Sequence, residues 1–229
     1  MLFTPGGRHS APINLKAMVF FVSGIDTDAG KSYCTAWLAR KYMAQGKRVI
    51  TQKLVQTGNV GHSEDIDLHR QLMGTGYLPE DHEGLTMPEI YSYPCSPHLA
   101  ARIDQRPINL EHITAATQEL ERRYDVVLVE GAGGLMVPLK EDYLTIDYLR
   151  EQGYPLVFVT SGKLGSINHT LLSFEAIQQR GIPMSHLLYN LYPPVADTTI
   201  QEDTLNFLKR WLMRYSPETL FLQVPVMPM

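Results

Sequence analysis

The chain has 229 residues, 44% of them hydrophobic, and a formal net charge of −4 at pH 7. This length suits one substantial α/β domain with a well-buried core, and the residue composition is ordinary for a globular protein. The net negative charge and the lack of a Lys/Arg-dense segment argue against a nucleic-acid partner. No apolar run approaches the roughly 20 residues that span a bilayer, which argues against a membrane protein.

The N-terminal residues 1–17 contain few apolar side chains. We interpret them as a disordered or non-native extension, and we expect residues 18–229 to form a single domain. The extension lacks the apolar centre of a signal peptide. The two cysteines, Cys34 and Cys95, do not indicate a disulfide framework. We therefore expect a cytoplasmic protein in a reducing compartment.

Short apolar runs alternate with helical patterns along the chain. Four runs are apolar on both faces, as in a parallel sheet covered by helices, and two further strands are expected; the six runs are 19–23, 49–54, 126–130, 156–160, 186–190 and 220–224. The helical patterns cover 32–44, 110–123, 144–151, 168–179 and 198–213. This alternation predicts a three-layer α/β/α fold with a mainly parallel sheet, in which ligands bind beyond the carboxyl ends of the strands.

The first predicted strand is followed directly by a glycine-rich motif, Gly24-Ile25-Asp26-Thr27-Asp28-Ala29-Gly30-Lys31-Ser32. A strand that ends in such a turn and continues as a helix directs several backbone N–H groups at one point, which suits a phosphate. Lys31 is expected to reach the β- and γ-phosphates, and Ser32 to ligate Mg²⁺. Five residues separate the first glycine from the Gly-Lys pair, one more than in the usual phosphate-binding loop.

The second predicted strand delivers Lys53 to the same sheet edge, in the motif Gln52-Lys53-Leu54-Val55-Gln56-Thr57-Gly58. Beside Lys31, this lysine would bring a second ammonium group to one phosphate. Two such charges stabilise the negative charge on a phosphoryl group during its transfer. The pair therefore predicts phosphoryl-transfer chemistry.

The segment 58–107 interrupts the alternation with repeated Gly, Pro, Tyr and His, and only one short helical pattern, 65–73, is found in it. Long irregular segments in compact domains are typical of functional loops or lids. The sequence alone leaves open whether residues 59–95 close over a site.

Two carboxylates are candidates for the metal site. Glu130 ends the third predicted strand and precedes small residues that allow a ligand to approach the backbone closely. Asp65 is the preferred second carboxylate, although Glu64 and Asp67 compete with it. Together with Ser32, Asp65 and Glu130 would supply the oxygen ligands that Mg²⁺ prefers.

Five segments, in order between residue 19 and about residue 190, resemble the dethiobiotin synthetase family. The glycine-rich loop is similar to that of the family, including the additional residue, and 53–58 is similar to its Lys-Pro-Val-x-(Ser/Thr)-Gly segment, with Leu54 in place of proline. The other three segments are Ser96-Pro97-His98-Leu99-Ala100-Ala101, Glu130-Gly131-Ala132-Gly133-Gly134 and Gly162-Lys163-Leu164-Gly165-Ser166-Ile167-Asn168-His169. The resemblance implies a P-loop NTPase-like fold.

The resemblance also implies an ATP- and Mg²⁺-dependent cyclo-ligase of biotin biosynthesis. Its substrates would be 7,8-diaminononanoate and CO₂ or bicarbonate, and its products dethiobiotin, ADP and phosphate. One amine takes up CO₂ as a carbamate, the carbamate oxygen attacks the γ-phosphate, and the second amine displaces phosphate from the carbamic-phosphoric anhydride. No protein nucleophile is needed, so alignment and electrostatics would carry catalysis.

Roles follow by position from the resemblance. The implied catalytic residues are Lys53, Lys31 and Thr27, of which Thr27 faces the carbamate. The implied nucleotide and cofactor contacts are Asp28, Ala29, Gly30, Lys31, Ser32, Tyr33, Asp65, Glu130, Gly133, Asn190, Leu191, Pro225, Val226 and Met227, with Asn190 reading the adenine. The implied Mg²⁺ ligands are Ser32, Asp65 and Glu130. The implied substrate contacts are Thr57, Gly162, Lys163, Leu164, Gly165 and Asn168, and in the family the segment 162–169 acts across a two-fold interface, so a homodimer is expected.

Three alternatives remain at this stage. A nucleotide-switch ATPase of the partitioning or iron-protein type has a related fold, but such proteins typically carry a second lysine early in the loop, where this chain has Ile25-Asp26-Thr27. A related ligase for another cofactor precursor is disfavoured by the segment 163–169, through resemblance only. A pure binding module is least favoured, because two lysines and three metal ligands exceed what nucleotide binding needs.

Overall fold

The computed structural model describes residues 17–194 and 196–227. The predicted extension, apart from Ala17, lies outside the described residues. In chain order the strands are β1 (Met18–Gly24), β2 (Val49–Lys53), β3 (Gln56–Thr57), β4 (Ile90–Tyr91), β5 (Val126–Gly134), β6 (Pro138–Lys140), β7 (Tyr143–Leu144), β8 (Leu156–Ser161), β9 (Met184–Asn190) and β10 (Leu220–Val224). The helices are α1 (Lys31–Met43), α2 (Glu64–Met73), α3 (Pro79–His82), α4 (Pro97–Ile103), α5 (Leu110–Arg123), α6 (Thr145–Gln152), α7 (Ser166–Gln179) and α8 (Thr199–Tyr215).

The central sheet contains the six predicted strands, in the order β10-β9-β8-β1-β5-β2, and all neighbouring strands are parallel. Side chains of a strand alternate between the two faces, and here both faces are apolar. Phe21 of β1 and Val129 of β5 belong to one buried cluster, whereas Phe20 and Leu128 belong to the cluster on the other face. The predicted parallel sheet is therefore confirmed.

Helices cover both faces of this sheet. Helix α1 packs Tyr33, Ala36 and Leu38 into one cluster, next to Leu72 of α2. Residues of α5, α6 and α7 fill the cluster on the opposite face, among them Ile113, Leu120, Ile146, Leu149 and Phe174. The three-layer α/β/α prediction is thus confirmed. No helix within the described residues is long and apolar enough to cross a membrane.

Two predictions about local structure were wrong. The segment 58–107 contains three helices and the short strand β4, not one helix in an irregular loop. Helices α3 and α4 each begin at a proline, which is preorganised for a first helical turn, but four and seven residues are too few to show a clear apolar repeat. Strand β5 also continues beyond Glu130, because Gly134 still pairs with Gly24 of β1.

The strand register brings the predicted motifs to one edge. Val22 of β1 and Lys53 of β2 both lie opposite Glu130 of β5, on its two sides. The glycine-rich loop leaves β1 at the same edge, directly after Gly24. The carboxyl ends of three neighbouring strands therefore converge where a parallel sheet binds its ligands.

Candidate active site

A cavity of about 560 Å³ lies at the carboxyl ends of β1, β2 and β5. Its size is in the range of small-molecule sites. Its lining combines residues far apart in sequence: Thr27, Lys31, Ser32, Lys53, Val55, Gln56, Thr57, Asp65, Pro94, Cys95, Ser96, Pro97, Glu130, Ala132, Gly133 and Val137. The structure thus brings together the two lysines, the three predicted metal ligands, Thr27, Thr57 and Gly133.

The glycine-rich loop forms the wall of the cavity beneath helix α1. The Thr27 backbone N–H donates to the Asp26 carboxylate at 2.6 Å, and residues Thr27–Ala29 form one turn of 3₁₀ helix. Gly30 then adopts φ +81°, and a Cβ there would lie 2.2 Å from the Asn190 Nδ2 atom. Both the left-handed conformation and the close approach require glycine at this position.

Lys31 is the first residue of α1, and its side chain folds back beneath the loop. The Nζ atom donates to the Asp26 carbonyl at 2.9 Å and to the Thr27 carbonyl at 3.3 Å. Burial lowers the pKa of Lys31, and the neighbouring Lys53 charge lowers it further, against the opposing effect of Glu130. The ammonium group is therefore held at the loop by carbonyl oxygens and close to a second cation.

Three oxygen-bearing side chains converge beside Lys31. The Ser32 Oγ atom lies 2.7 Å from Asp65 Oδ1 and 2.8 Å from Glu130 Oε1. Lys53 Nζ contacts Asp65 Oδ2 and lies 3.1 Å from Glu130 Oε1. Of the competing acids, Asp67 instead contacts the Tyr77 hydroxyl and Glu64 is exposed.

Opposite charges keep this buried group ionised. Burial alone would raise the pKa of Glu130, but Lys53, His69 and Lys31 together hold that pKa well below its ordinary value. Burial alone would likewise lower the pKa of Lys53, yet Glu130 and Asp65 raise it. At neutral pH the cavity therefore contains a charged lysine between two carboxylates.

The donor set fits a hard divalent cation. The Ser32 hydroxyl has one proton but lies within hydrogen-bond distance of two carboxylate oxygens. It can donate to only one of them, so the other contact brings two oxygens together without a hydrogen bond. A cation bound between the three oxygens would remove this repulsion. Among the described residues, no cluster of three or more His, Cys, Asp or Glu side chains is suited to hold a metal ion by itself. Mg²⁺ at this position would therefore depend on the Ser32 hydroxyl and on oxygens from nucleotide or water.

A second group of predicted residues lies on the outer side of the loop. Asn190 is buried at the end of β9; its amide donates to the Ala29 and Tyr192 carbonyls at 3.1 and 2.9 Å. Tyr33 stacks on Tyr192 with ring centroids 4.5 Å apart, and its hydroxyl contacts the Met227 N–H and donates to the Pro225 carbonyl.

The remaining residues of this group differ in exposure. Asp28 is exposed, whereas Ala29 is buried under the loop. Leu191 donates its N–H to the Val224 carbonyl at 3.0 Å, and Val226 is 46% exposed. The adenine contacts that the resemblance implies stay a prediction, since Tyr33, Asn190 and the residues near them do not line the cavity.

The predicted substrate residues are divided between two places. Thr57 lines the cavity, but in the described part of the chain Gly162, Lys163, Leu164, Gly165 and Asn168 do not line it. Leu164 is 86% exposed, and Gly165 adopts φ +93° directly before α7. The N-terminus of α7 has no side-chain cap; its first N–H, that of Ser166, donates to the Lys163 carbonyl at 3.0 Å, and the N–H groups of Ile167 and Asn168 remain for a carboxylate.

Sequence reasoning missed the buried partners of Glu130. His69 Nε2 and Thr35 Oγ1 lie 2.9 and 2.7 Å from Glu130 Oε2. The spacing of Asp65 and His69, four residues apart on one helix, was an available signal, because such residues share a helix face. Tyr192 was also missed; nothing in its local sequence indicates that it stacks on a residue of α1.

Comparison with known proteins identifies close relatives. A family model described as an AAA domain matches residues 18–227. The chain is 51% identical over 205 residues to the ATP-dependent dethiobiotin synthetase BioD 2 of Pasteurella multocida, covering 90% of this chain and 96% of that protein. It is 47% identical over 201 residues to the ATP-dependent dethiobiotin synthetase BioD of Chlorobaculum tepidum, covering 88% and 84% of the two chains.

A solved structure supports the fold. The plasmid partition protein of Borrelia burgdorferi bound to AMPPNP superimposes with a TM-score of 0.54 at 12% identity, covering 93% of this chain and 88% of that chain. At this identity the likeness concerns the fold alone. It confirms the P-loop NTPase-like architecture.

Proposed function

The chain belongs to the ATP-dependent dethiobiotin synthetase family, and from this premise we propose how its cavity closes the ureido ring of dethiobiotin. The enzyme is an ATP-using ligase of biotin biosynthesis. The substrates that we propose are 7,8-diaminononanoate and CO₂ or bicarbonate. A carbamate and then a carbamic-phosphoric anhydride form in turn, and the second amine closes the ring as phosphate leaves.

One observation supports this proposal most strongly: two buried lysines and three oxygen ligands meet in a single cavity. In the proposed reaction Lys31 and Lys53 bind the carbamate and the γ-phosphate and bring them together. Both ammonium groups also stabilise the charge that accumulates on the transferred phosphoryl group. Thr27 would orient the carbamate, and Thr57 the diamine.

The proposed cofactor is Mg²⁺, held by Ser32, Asp65 and Glu130. When bound, it would neutralise the charge of the nucleotide phosphates. The chain's own contribution is to keep the Glu130 carboxylate ionised and fixed, since its four polar contacts are all within 3.1 Å. Burial of these groups also limits hydrolysis of the reactive anhydride by water.

We further propose a homodimer in which 162–168 of one copy contributes to the substrate site of the other. This is supported by two observations: the segment does not line the cavity of its own chain, and exposed apolar side chains lie in it or near it, Leu164, Met136 and Leu172. Residues 18–229 as one domain, a cytoplasmic location and the lack of a nucleic-acid partner remain predictions.

The reaction itself is tested by measuring ADP release from Mg²⁺-ATP and bicarbonate, with and without 7,8-diaminononanoate. We expect ADP and dethiobiotin to form in equal amounts, and only when the diamine is present. Hydrolysis of ATP that does not need the diamine and yields no dethiobiotin would instead favour a nucleotide switch. Turnover with a different amine acceptor would favour a related ligase.

A further inference from the structure

Glu130 has one oxygen toward the cavity and one toward the protein. Oε1 faces Ser32 Oγ and Lys53 Nζ, the groups of the proposed metal and phosphate site. Oε2 points away from them, toward Thr35 Oγ1 and His69 Nε2. The side chain of Glu130 is completely buried, and so is that of His69. The contacts of Oε2 therefore decide how Oε1 is presented.

Thr35 cannot fix Oε2 by itself. Its hydroxyl has one proton and lies 2.8 Å from the Lys31 carbonyl as well as 2.7 Å from Glu130 Oε2. The two acceptors share that single donor. His69 Nε2, at 2.9 Å, is therefore the donor that Oε2 does not share with another acceptor.

A chain of hydrogen bonds sets the direction of the His69 ring. Arg70 can only donate, and its Nη1 atom donates to Thr51 Oγ1 at 2.8 Å. Thr51 lies 3.1 Å from His69 Nδ1, so its own hydroxyl proton is free to point at that nitrogen. Because the ionised Glu130 carboxylate can only accept, His69 Nε2 is the donor in this contact, and Thr51 holds the ring from the Nδ1 side.

We propose that His69 is a positioning residue, which fixes the Glu130 carboxylate through Oε2 so that Oε1 is presented to the Mg²⁺ of the nucleotide complex. This inference rests on the proposed function. Without the His69 donor, the broad terminal torsion of Glu130 lets the plane of the carboxylate rotate, and no oxygen is then held toward Ser32 and the metal. Loss of such an outer partner typically weakens metal binding 10–100-fold.

The test measures Mn²⁺ binding in the presence of a non-hydrolysable ATP analogue, by the EPR signal of free Mn²⁺. His69→Leu removes the donor, whereas His69→Gln keeps an N–H donor at nearly the same reach. We expect His69→Leu to raise the Mn²⁺ dissociation constant by about 10-fold or more, and His69→Gln to stay within about three-fold of wild type. If His69→Leu does not fold, His69→Met, with a flexible side chain, replaces it with the same expected loss.

His186→Leu is the matched control. His186 is also a buried histidine, but its ring contacts Ser185 and Phe20. This variant should lose stability and keep wild-type Mn²⁺ affinity. Circular dichroism and thermal unfolding of every variant separate loss of fold from loss of the metal.

Glu130→Gln separates the two proposals. If it abolishes Mn²⁺ binding while His69→Leu binds within about two-fold of wild type, the role of His69 is refuted and the metal site stands. If Glu130→Gln binds Mn²⁺ like wild type, the metal site and the role of His69 fail together. A loss in His69→Gln equal to that in His69→Leu would also contradict the role, because the donor is then irrelevant.

Discussion

Lys53 is the residue whose surroundings depart most from those of an ordinary lysine. Its side chain is 5% exposed and its ammonium group lies between Asp65 and Glu130, with the Gly131 carbonyl at 3.3 Å. These carboxylates keep it charged despite its burial, and the raised pKa reflects this. A fixed, dehydrated ammonium group is a strong electrostatic catalyst, because no solvent needs to reorganise around it.

Replacement of Lys53 by methionine should therefore reduce turnover more than binding. We expect Lys53→Met to lower kcat by about 100-fold or more, the usual effect of losing one such donor, and to keep ATP affinity within a few-fold. Steady-state kinetics and calorimetric ATP titration measure the two quantities. Lys47→Met, at an exposed lysine before β2, is the control and should match wild type. A kcat within about two-fold of wild type would remove Lys53 from catalysis.

The sequence located site residues that follow strands and missed those that depend on packing. Lys53 ends β2, Ser32 follows β1 through the glycine-rich loop, and Glu130 lies in β5 opposite Val22 and Lys53, so the parallel register itself brings the three together. His69 shares a helix face with Asp65, but its contact with Glu130 depends on how α2 packs on the sheet, and Tyr192 reaches α1 through a loop that has no local signal. Asp65 was chosen from three acids, and the helix α2 turns that one toward Ser32.

The glycine-rich loop packs closely against the end of β9. Gly30 ends the 3₁₀ turn in the left-handed region, and the Asn190 amide occupies the space where a Cβ would stand. The same amide donates to the Ala29 carbonyl. The geometry of the glycine-rich loop is therefore coupled to the end of β9 through Asn190.

Gly30→Ala should disturb both stability and nucleotide binding. Gly46 has a similar φ of +77° but nothing within 4 Å of an added Cβ, so Gly46→Ala measures the backbone effect alone. We expect Gly46→Ala to lose about 1 kcal/mol with unchanged ATP affinity, and Gly30→Ala to lose more and bind ATP about 10-fold or more weakly. Urea unfolding and ATP titration provide the measurements. Equal results for the two variants would contradict this coupling.

The helices α3 and α4 and the strand β4 in the segment 58–107 were not predicted from the sequence. Its Gly and Pro content predicted an irregular loop, yet buried polar contacts organise it. Arg70 of α2 pairs with Asp81 of α3 through two bonds of 2.8 and 2.7 Å, and Asp81 also accepts from Thr86. Buried ion pairs of this kind join residues distant in sequence, and hydrophobic periodicity carries no information about them.

The ion pair of Arg70 and Asp81 makes the free energy of unfolding of the protein depend on pH. Burial alone would raise the pKa of Asp81, but Arg70, the Leu78 N–H and Thr86 lower it below its ordinary 3.8. Because the pKa of Asp81 is lower in the folded state than in the unfolded state, its ion pair stabilises the fold at pH values above the unfolded-state pKa. This stabilisation is lost as the pH falls through the folded-state pKa. The unfolding free energy should therefore fall as pH drops below about 4.

Asp81→Asn isolates this contribution. Breaking one partner of a buried pair should destabilise the protein by about 3 kcal/mol at neutral pH, because Arg70 stays buried without its counter-charge. The difference in unfolding free energy between the variant and wild type should narrow as the pH falls below about 4, since wild-type Asp81 then becomes protonated too. Urea midpoints above and below this pH measure the difference, and the exposed Asp142→Asn is the control. A difference in stability between Asp81→Asn and wild type that stays constant with pH would contradict the role of the Asp81 carboxylate in this pH dependence.

The same architecture supports different chemistries in proteins of low sequence identity. The partition protein of Borrelia burgdorferi shares this architecture at 12% identity, whereas the dethiobiotin synthetase of Pasteurella multocida is 51% identical. The sheet supports many chemistries, and the side chains at its carboxyl edge select one. Here that edge holds Lys31, Lys53 and Glu130 in one cavity.

The most direct test follows the carbon that closes the ring. The enzyme is incubated with Mg²⁺-ATP, 7,8-diaminononanoate and ¹³C-bicarbonate, and dethiobiotin and ADP are quantified by mass spectrometry. We expect dethiobiotin labelled at the ureido carbon, one ADP per product, and formation of both at a rate about 100-fold or more lower in Lys53→Met. ADP formation without labelled dethiobiotin would contradict the proposed reaction.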